Sequence, residues 1–289
     1  LVYHSDHDGA RIATRLSHPT DEQLKLAASL LILTPAHVKL YAGDEIGIKG
    51  FTSFDEFKDK WFHATLASMA WDDSENGGFT TSDSPVIPIT DDYLLQNVKK
   101  QEESKTSLLN HYRALLKLKN DYPQYFFKGV RHSLPAGNDK VYAYLTAHGK
   151  NAALTILNLS PSPNDFSASL PILTDKTKIR QLFGKPLALT HAGDRLAADG
   201  LRPYHTYVFE ITAADTDILT PPNPKQMPVK NVPVDSETVG EARTAYRLND
   251  SNAERFLRLK QGQGVVPLSI FEEVSDGFIP TFTQQIDTK

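Results

Sequence analysis

The chain has 289 residues, about two domains at roughly 150 residues each, and its 40% apolar and 23% charged content excludes a collagen, a coiled coil and a wholly disordered chain. With Lys+Arg at 31 against Asp+Glu at 35 and a net charge of -4, it lacks the basic footprint of a nucleic-acid binder. Its longest apolar stretch, Leu26 to Pro35, falls short of the ~20 residues that cross a bilayer. The absence of cysteine excludes disulfides and thiolate chemistry.

Leu1-Val2-Tyr3 reads as the end of a buried strand running into the polar string His4-Ser5-Asp6-His7-Asp8-Gly9. A domain rarely opens mid-strand. The simpler expectation is a processed N-terminus; the sharper one is the C-terminal part of something longer. Asp21 to Leu33 is expected to be a helix: acidic residues open it, and Leu24, Ala27, Ala28 and Leu31 recur at helical spacing. Leu26, Leu30 and Leu33 widen its apolar surface, so it is expected to be buried on more than one side. Pro35 ends it, and Val38 to Ala42 reads as a second strand. Strand, helix, strand with short connections is a βαβ unit, which implies a parallel sheet or barrel.

Gly47 to about Asn97 is long and irregular, yet carries Phe51, Phe54, Phe57, Trp61, Phe62, Trp71, Phe79 and Tyr93. So long a loop is functional or disordered, and its aromatics argue against disorder. Ser104 to Asn120 is expected to be a helix, with Leu108, Leu109, Tyr112, Leu115 and Leu116 on one face. Beyond Gly129 the period changes to two. Strands are expected at 141–145, 153–157, 179–183 and 204–211, giving a small antiparallel β domain over 130–212. Its alternating Tyr142, Tyr144, Tyr204, Tyr207 and Phe209 are expected to be more core than surface. The stretch 213–233 holds five prolines, at 221, 222, 224, 228 and 233, and reads as an extended linker. In the tail, 234–289, Glu254 to Lys260 is expected to be helical; the tail carries no readable function.

The opening string sits at the C-terminal end of a parallel strand, where α/β barrels build active sites. Three readings fit His4, Asp6, His7 and Asp8. They bind a metal; they hydrogen-bond sugar hydroxyls around an oxocarbenium-like transition state; or they form a polar turn with one buried, satisfied histidine.

Several segments in chain order resemble one family. Tyr3 to Arg11 is similar to the fourth conserved region of α-amylase-family glycoside hydrolases, an Asn-His-Asp with an arginine three residues on. Leu40-Tyr41-Ala42-Gly43-Asp44-Glu45-Ile46-Gly47 resembles their Tyr-Tyr-Gly-Asp-Glu-Ile-Gly segment after the eighth barrel strand. Met69-Ala70-Trp71-Asp72 and Asn76 to Thr80 resemble their Pro-Met-x-Trp and Gly-Phe-Thr stretch. Asn97-Val98 with Gln101, and Ser107 to Arg113, resemble the approach to the last barrel helix, and Leu201-Arg202-Pro203-Tyr204 the C-terminal β domain. The resemblance runs from Val2 to about Ile211. It departs at Asp6 for asparagine, at Ala42 for the second tyrosine, at Ala36-His37 for a Gly-x-Pro turn, and at Ser68, where an arginine is missing before Met69.

The resemblance implies α/β followed by all-β: the last units of a (β/α)8 barrel over 1–129, then a β-sandwich over 130–212. It makes Asp8 the family's third carboxylate, which grips sugar hydroxyls in the transition state. His7 becomes the histidine bonding the same sugar, and Arg11 an orienting or substrate-contacting arginine. It gives Asp44 and Glu45 a mainly structural part. It implies an α-glucan or oligosaccharide as partner, with no nucleic acid and no membrane, and a secreted or periplasmic location. It implies no cofactor or metal within this stretch, while calcium is common in whole members, its usual ligands falling before Leu1. The family's nucleophilic aspartate and acid/base glutamate also fall before Leu1, so 1–289 by itself is expected to be inactive and to expose apolar barrel faces. The alternatives are a metal-dependent hydrolase built on His4, Asp6, His7 and Asp8, and a non-catalytic carbohydrate-binding piece made of the β domain and tail.

Overall fold

Thr20 starts the first long helix by a reciprocal cap. Its hydroxyl accepts from the Gln23 amide at 3.3 Å, and the Gln23 side chain accepts from the Thr20 amide at 2.9 Å, so two N-terminal donors are satisfied at once. In the computed structural model this helix, α2, spans Asp21–Ile32, preceded by the single turn α1, Ile12–Arg15. The structure describes residues 1–50, 65–87, 89–171 and 173–212, and beyond them the backbone of five strands between 234 and 287. The expected linker over 213–233 and the aromatics Phe51, Phe54, Phe57, Trp61 and Phe62 lie outside the described residues.

Leu24, Leu26, Ala27, Ala28, Leu31 and Ile32 are buried around α2, so the helix is covered on several sides, as its wide apolar surface requires. The C-terminal carbonyls of α2 have an unusual partner. The buried Lys119 ammonium donates to Ile32 O at 2.9 Å, Thr34 O at 2.7 Å and Ala36 O at 3.0 Å, and it lies over the Phe127 ring.

The two strands flanking α2 pair in the expected parallel sense, but only at Val2 and Val38. Val2 N–H donates to His37 O and Lys39 N–H to Val2 O, both at 2.9 Å. Parallel pairing is the weaker kind, and among the described residues no further strand flanks either partner, so the ladder stops at one bridge.

The helix expected over 104–120 is two helices. Asn97 caps α3, Val98–Glu103, and Ser107 caps α4, Leu108–Asp121. Asn110 causes the break: its amide donates to the carbonyls of Gln101, Glu102 and Ser104, ending α3 where the longer pattern would have continued. Pro123 then opens the short α5, Pro123–Phe126.

Eight strands follow: β1 Val130–Leu134, β2 Val141–His148, β3 Asn151–Asn158, β4 Asn164–Ser169, β5 Lys178–Phe183, β6 Thr190–Ala192, β7 Arg195–Leu201 and β8 Thr206–Thr212. They form two antiparallel sheets, β1-β2-β3-β8-β5 and β4-β7-β6. Between the sheets lie Leu145, Leu154, Ile156, Tyr207, Phe209 and Ile211 from the first and Phe166, Ala168, Leu196 and Ala198 from the second. The opposite face of the larger sheet is also covered, by the helices: Ala153 and Val208 pack with Leu24, Ala28, Ile32, Leu115 and Phe126, and Tyr144 and Leu157 with Leu26. That double cover explains why β3 is buried along almost its whole length instead of alternating. Tyr144, Tyr207 and Phe209 are core, while Tyr142 and Tyr204 are half-buried.

Leu1–Pro221 forms one compact unit and Pro222–Lys289 a second. The second contains a five-stranded antiparallel sheet in sequential order: β9 Val234–Thr238, β10 Arg243–Asp250, β11 Ala253–Lys260, β12 Val265–Val274 and β13 Gly277–Asp287. The helix expected at Glu254 to Lys260 is therefore a strand, paired with β10 from Arg243 opposite Lys260 to Asp250 opposite Ala253. So short a helix is marginal in water, whereas Leu257 and Leu259 repeat at a strand's period and the ladder on β10 satisfies the backbone.

Candidate functional site

The segment 3–11 leaves the Val2 bridge and runs to the start of α1. Most of its polar groups are committed to holding it. Ser5 is buried, and its hydroxyl accepts from Ile12 N–H at 2.9 Å. The His4 ring bonds Ala27 O at 2.7 Å, tying the loop to α2, and the Arg15 guanidinium donates to the His4 carbonyl. The Asp6 carboxylate accepts from the Asp8 amide at 3.0 Å and from the Tyr3 hydroxyl, which this bond and the Asp6 charge push up. Lys39 caps the outer face of the Tyr3 ring.

Two side chains remain uncommitted to the backbone. His7 and Asp8 stand 72% and 66% exposed, with His7 Nε2 at 3.2 Å from Asp8 Oδ2. The pair is held from below by the Asp6 turn and is open to a ligand from above. Such a wet pair adds little to stability; what it provides is a carboxylate with free lone pairs beside an imidazole donor.

Arg11 is placed differently. Its side chain is only 4% exposed. Nε donates to Thr65 O at 3.0 Å, Nη1 to Ala42 O at 2.8 Å and to Asp44 Oδ1 at 3.4 Å, and the guanidinium stacks on Tyr41 at 4.5 Å. This geometry is that of an orienting residue, with no open face toward a sugar. Burial pushes the Asp44 carboxyl up, against the Ser5 hydroxyl and Arg11, which pull it down. The Glu45 carboxylate accepts from Gly43 N–H at 2.8 Å. Gly43 sits at φ 97°, and a Cβ there would meet Ile48 at 2.9 Å and Arg11 at 3.2 Å. Asp44 and Glu45 thus build the turn under the loop, the structural part expected of them.

The four residues of the metal reading do not converge: His4 faces α2, Asp6 closes its own turn, and His7 and Asp8 pair outside. Among the described residues no group of three His, Cys, Asp or Glu is placed to hold a metal ion, so neither the metal-hydrolase reading nor calcium has a donor set there. Among the described residues no helix is long and apolar enough to cross a membrane. Sequence reasoning missed Ser5 and its clamp on Ile12; a small hydroxyl residue a few positions before a helix start was the available signal.

Comparison with known proteins places these features in a family. Residues 1–129 match the family described as alpha amylase, catalytic domain. Trehalose-6-phosphate hydrolase of Bacillus subtilis is 23% identical over 245 residues, covering 73% of this chain and 42% of that protein. Trehalose synthase/amylase of Mycobacterium tuberculosis is 30% identical over 166 residues, covering 54% of this chain and 27% of that protein. The crystal structure of Bacillus licheniformis trehalose-6-phosphate hydrolase superposes with a TM-score of 0.61 at 20% identity, over 73% of this chain and 42% of that one. The chain spans less than half the length of these relatives. Over residues 1–129 the chain belongs to the α-amylase family.

Proposed function

We propose that this chain supplies the last two units of a (β/α)8 barrel and the C-terminal β-sandwich of a retaining glycoside hydrolase acting on α-glucosidic bonds. The observation that carries the reading is the sorting of the opening cluster: His4, Ser5, Asp6 and Arg11 are committed to structure, and only the His7–Asp8 pair faces solvent.

Asp8 accepts hydrogen bonds from hydroxyls of the sugar whose bond is broken. Those bonds strengthen as the ring flattens and gains positive charge, so they lower the barrier instead of merely tightening binding. His7 donates from its ring to the same sugar and, at 3.2 Å from Asp8, restricts the carboxylate's rotation. Arg11 acts through position: it locks the far end of the loop onto the Ala42–Asp44 turn. The family resemblance assigns the nucleophile and the acid/base to two further carboxylates, ~5–5.5 Å apart in retaining enzymes, outside the stretch spanned here. The substrate is a neutral gluco-oligosaccharide, starch or maltodextrin, or a related α-glucoside.

The test is to express the reading frame together with the sequence upstream of Leu1 and to measure hydrolysis of maltotriose, isomaltose and an aryl α-glucoside. Hydrolysis of at least one is expected, with Asp8→Asn lowering kcat about 10²-fold or more. An active extended enzyme indifferent to Asp8→Asn would overturn the assignment. So would turnover by purified 1–289 alone.

A further inference from the structure

We propose that Trp71 and Phe79 form a stacking platform for a neutral α-glucan chain, carried on a rigid loop apart from the His7–Asp8 pair; the choice of ligand rests on the function proposed above. The loop 71–79 closes on itself without using either ring. Trp71 and Asp72 N–H both donate to Gly77 O, at 2.7 and 3.2 Å, Gly77 N–H to Ser74 O at 2.9 Å and Phe79 N–H to Asn76 O at 3.0 Å. Asp72 Oδ1 accepts from the Ser74 amide at 2.9 Å and its hydroxyl at 2.5 Å, and the Asn76 amide donates to Ser82 O at 3.0 Å. Gly78 is at φ 67°, and a Cβ on it would lie 2.8 Å from the Asp72 carboxylate, so the closure demands glycine there. Below, the Ala70 and Trp71 carbonyls accept from Val98 and Lys99 N–H at 3.0 Å, fixing the loop to the first turn of α3.

On this frame Trp71 is 50% and Phe79 52% exposed. Large aromatic side chains half in water on a loop already closed by its backbone are not needed for its folding, and exposed aromatic surface of this kind marks a contact site. The 71–77 bond sets Trp71 beside the residue two before Phe79, so both rings belong to one rim. That rim bears Asp72, Asp73 and Glu75 against Lys99 and Lys100, whose amines lie 3.8 Å from Asp73. It is rich in hydrogen-bonding groups and carries an excess of negative charge. This suits an uncharged, hydroxyl-rich ligand and disfavours a phosphorylated one. The C–H face of a glucose ring stacks on an aromatic face while its hydroxyls reach the rim, and two rings require a ligand of at least two sugar units.

Trp71 is one of two tryptophans, so the Trp61→Phe chain 1–289 leaves it as sole reporter. Titration with maltoheptaose is expected to shift its fluorescence saturably. Affinity electrophoresis through amylopectin is expected to retard the chain, with Trp71→Ala and Phe79→Ala each weakening retention about tenfold at unchanged circular dichroism. Should either alanine variant fail to fold, Trp71→Phe and Phe79→Leu replace them, with partial loss expected. No fluorescence response, or retention insensitive to all four substitutions, would overturn the platform. So would loss of self-association, instead of loss of glucan retention, in the variants. Activity of the extended enzyme that depends on Asp8 while glucan retention ignores Trp71 and Phe79 overturns the platform alone; the reverse pattern overturns the active-site reading alone.

Discussion

Asp8 and Arg11 stand on the same short loop, and each has an oppositely charged or chargeable partner, yet their surroundings are opposite. His7–Asp8 is closed at 3.2 Å with both side chains largely in water; Arg11–Asp44 is 3.4 Å apart with both almost wholly buried. The buried pair has carbonyl acceptors at Thr65 and Ala42 for its remaining donors and a Ser5 hydroxyl for its carboxylate, which is what makes its desolvation tolerable. The wet pair has no such shell. Ionic pairing by itself therefore does not distinguish support from function; the shell around it does.

The largest expected effect comes from breaking the buried side. Arg11→Met leaves the Asp44 carboxylate without its cation in a dry pocket and should cost about 3–5 kcal/mol, read from urea unfolding. Stability equal to the parent's would mean the pair is not what holds the loop. Lys119→Met should come next, at about 2 kcal/mol, since it strips three buried carbonyls of their donor. Burial lowers the Lys119 amine from 10.5 to about 8. The unfolded chain thus binds the proton more tightly, and stability should rise as pH climbs from about 8 to 10.5. The Met variant should lack that slope, and a parent profile identical to the variant's would dispose of the idea.

Asp44 gives a subtler test. Its folded carboxyl is raised above 3.8 by burial, so the stability it contributes is fully present below that value and lost as pH rises through the folded one. The parent should gain on Asp44→Asn when the pH is lowered across this window; a constant difference between the two would argue that Arg11 compensates burial fully. At the small end, His7→Ala and Asp8→Asn should leave the thermal midpoint where it is. A clear drop with either would erase the contrast between the two pairs.

Local signals were the legible part of the fold. α2 was readable to within a residue because its cap, apolar period and terminating proline agree, and β2, β3, β5 and β8 because their period is two. The α3–α4 break escaped because it depends on Asn110 reaching back to three carbonyls, a contact that periodicity does not encode. β11 was misread because Glu and Arg around Phe256 and Leu257 suit a helix locally, while the pairing with β10 that decides the matter is non-local. In the candidate site, the cluster was visible as a string of residue types. Its division into committed and open side chains was not, since Ala27, Ala42 and Thr65 meet it only through their carbonyls, and a carbonyl leaves no mark in a sequence.

The Lys119 amine, lodged among the carbonyls of Ile32, Thr34 and Ala36, also has a use as a chemical clock. At about 8 its acid constant leaves a sizeable uncharged, nucleophilic fraction in mildly alkaline buffer. Burial, not protonation, is its shield against acylating reagents and trypsin. Surface lysines will label at once; this one will label only when α4 parts from the end of α2. The mass of a single peptide, followed over time, then counts the openings of that seam.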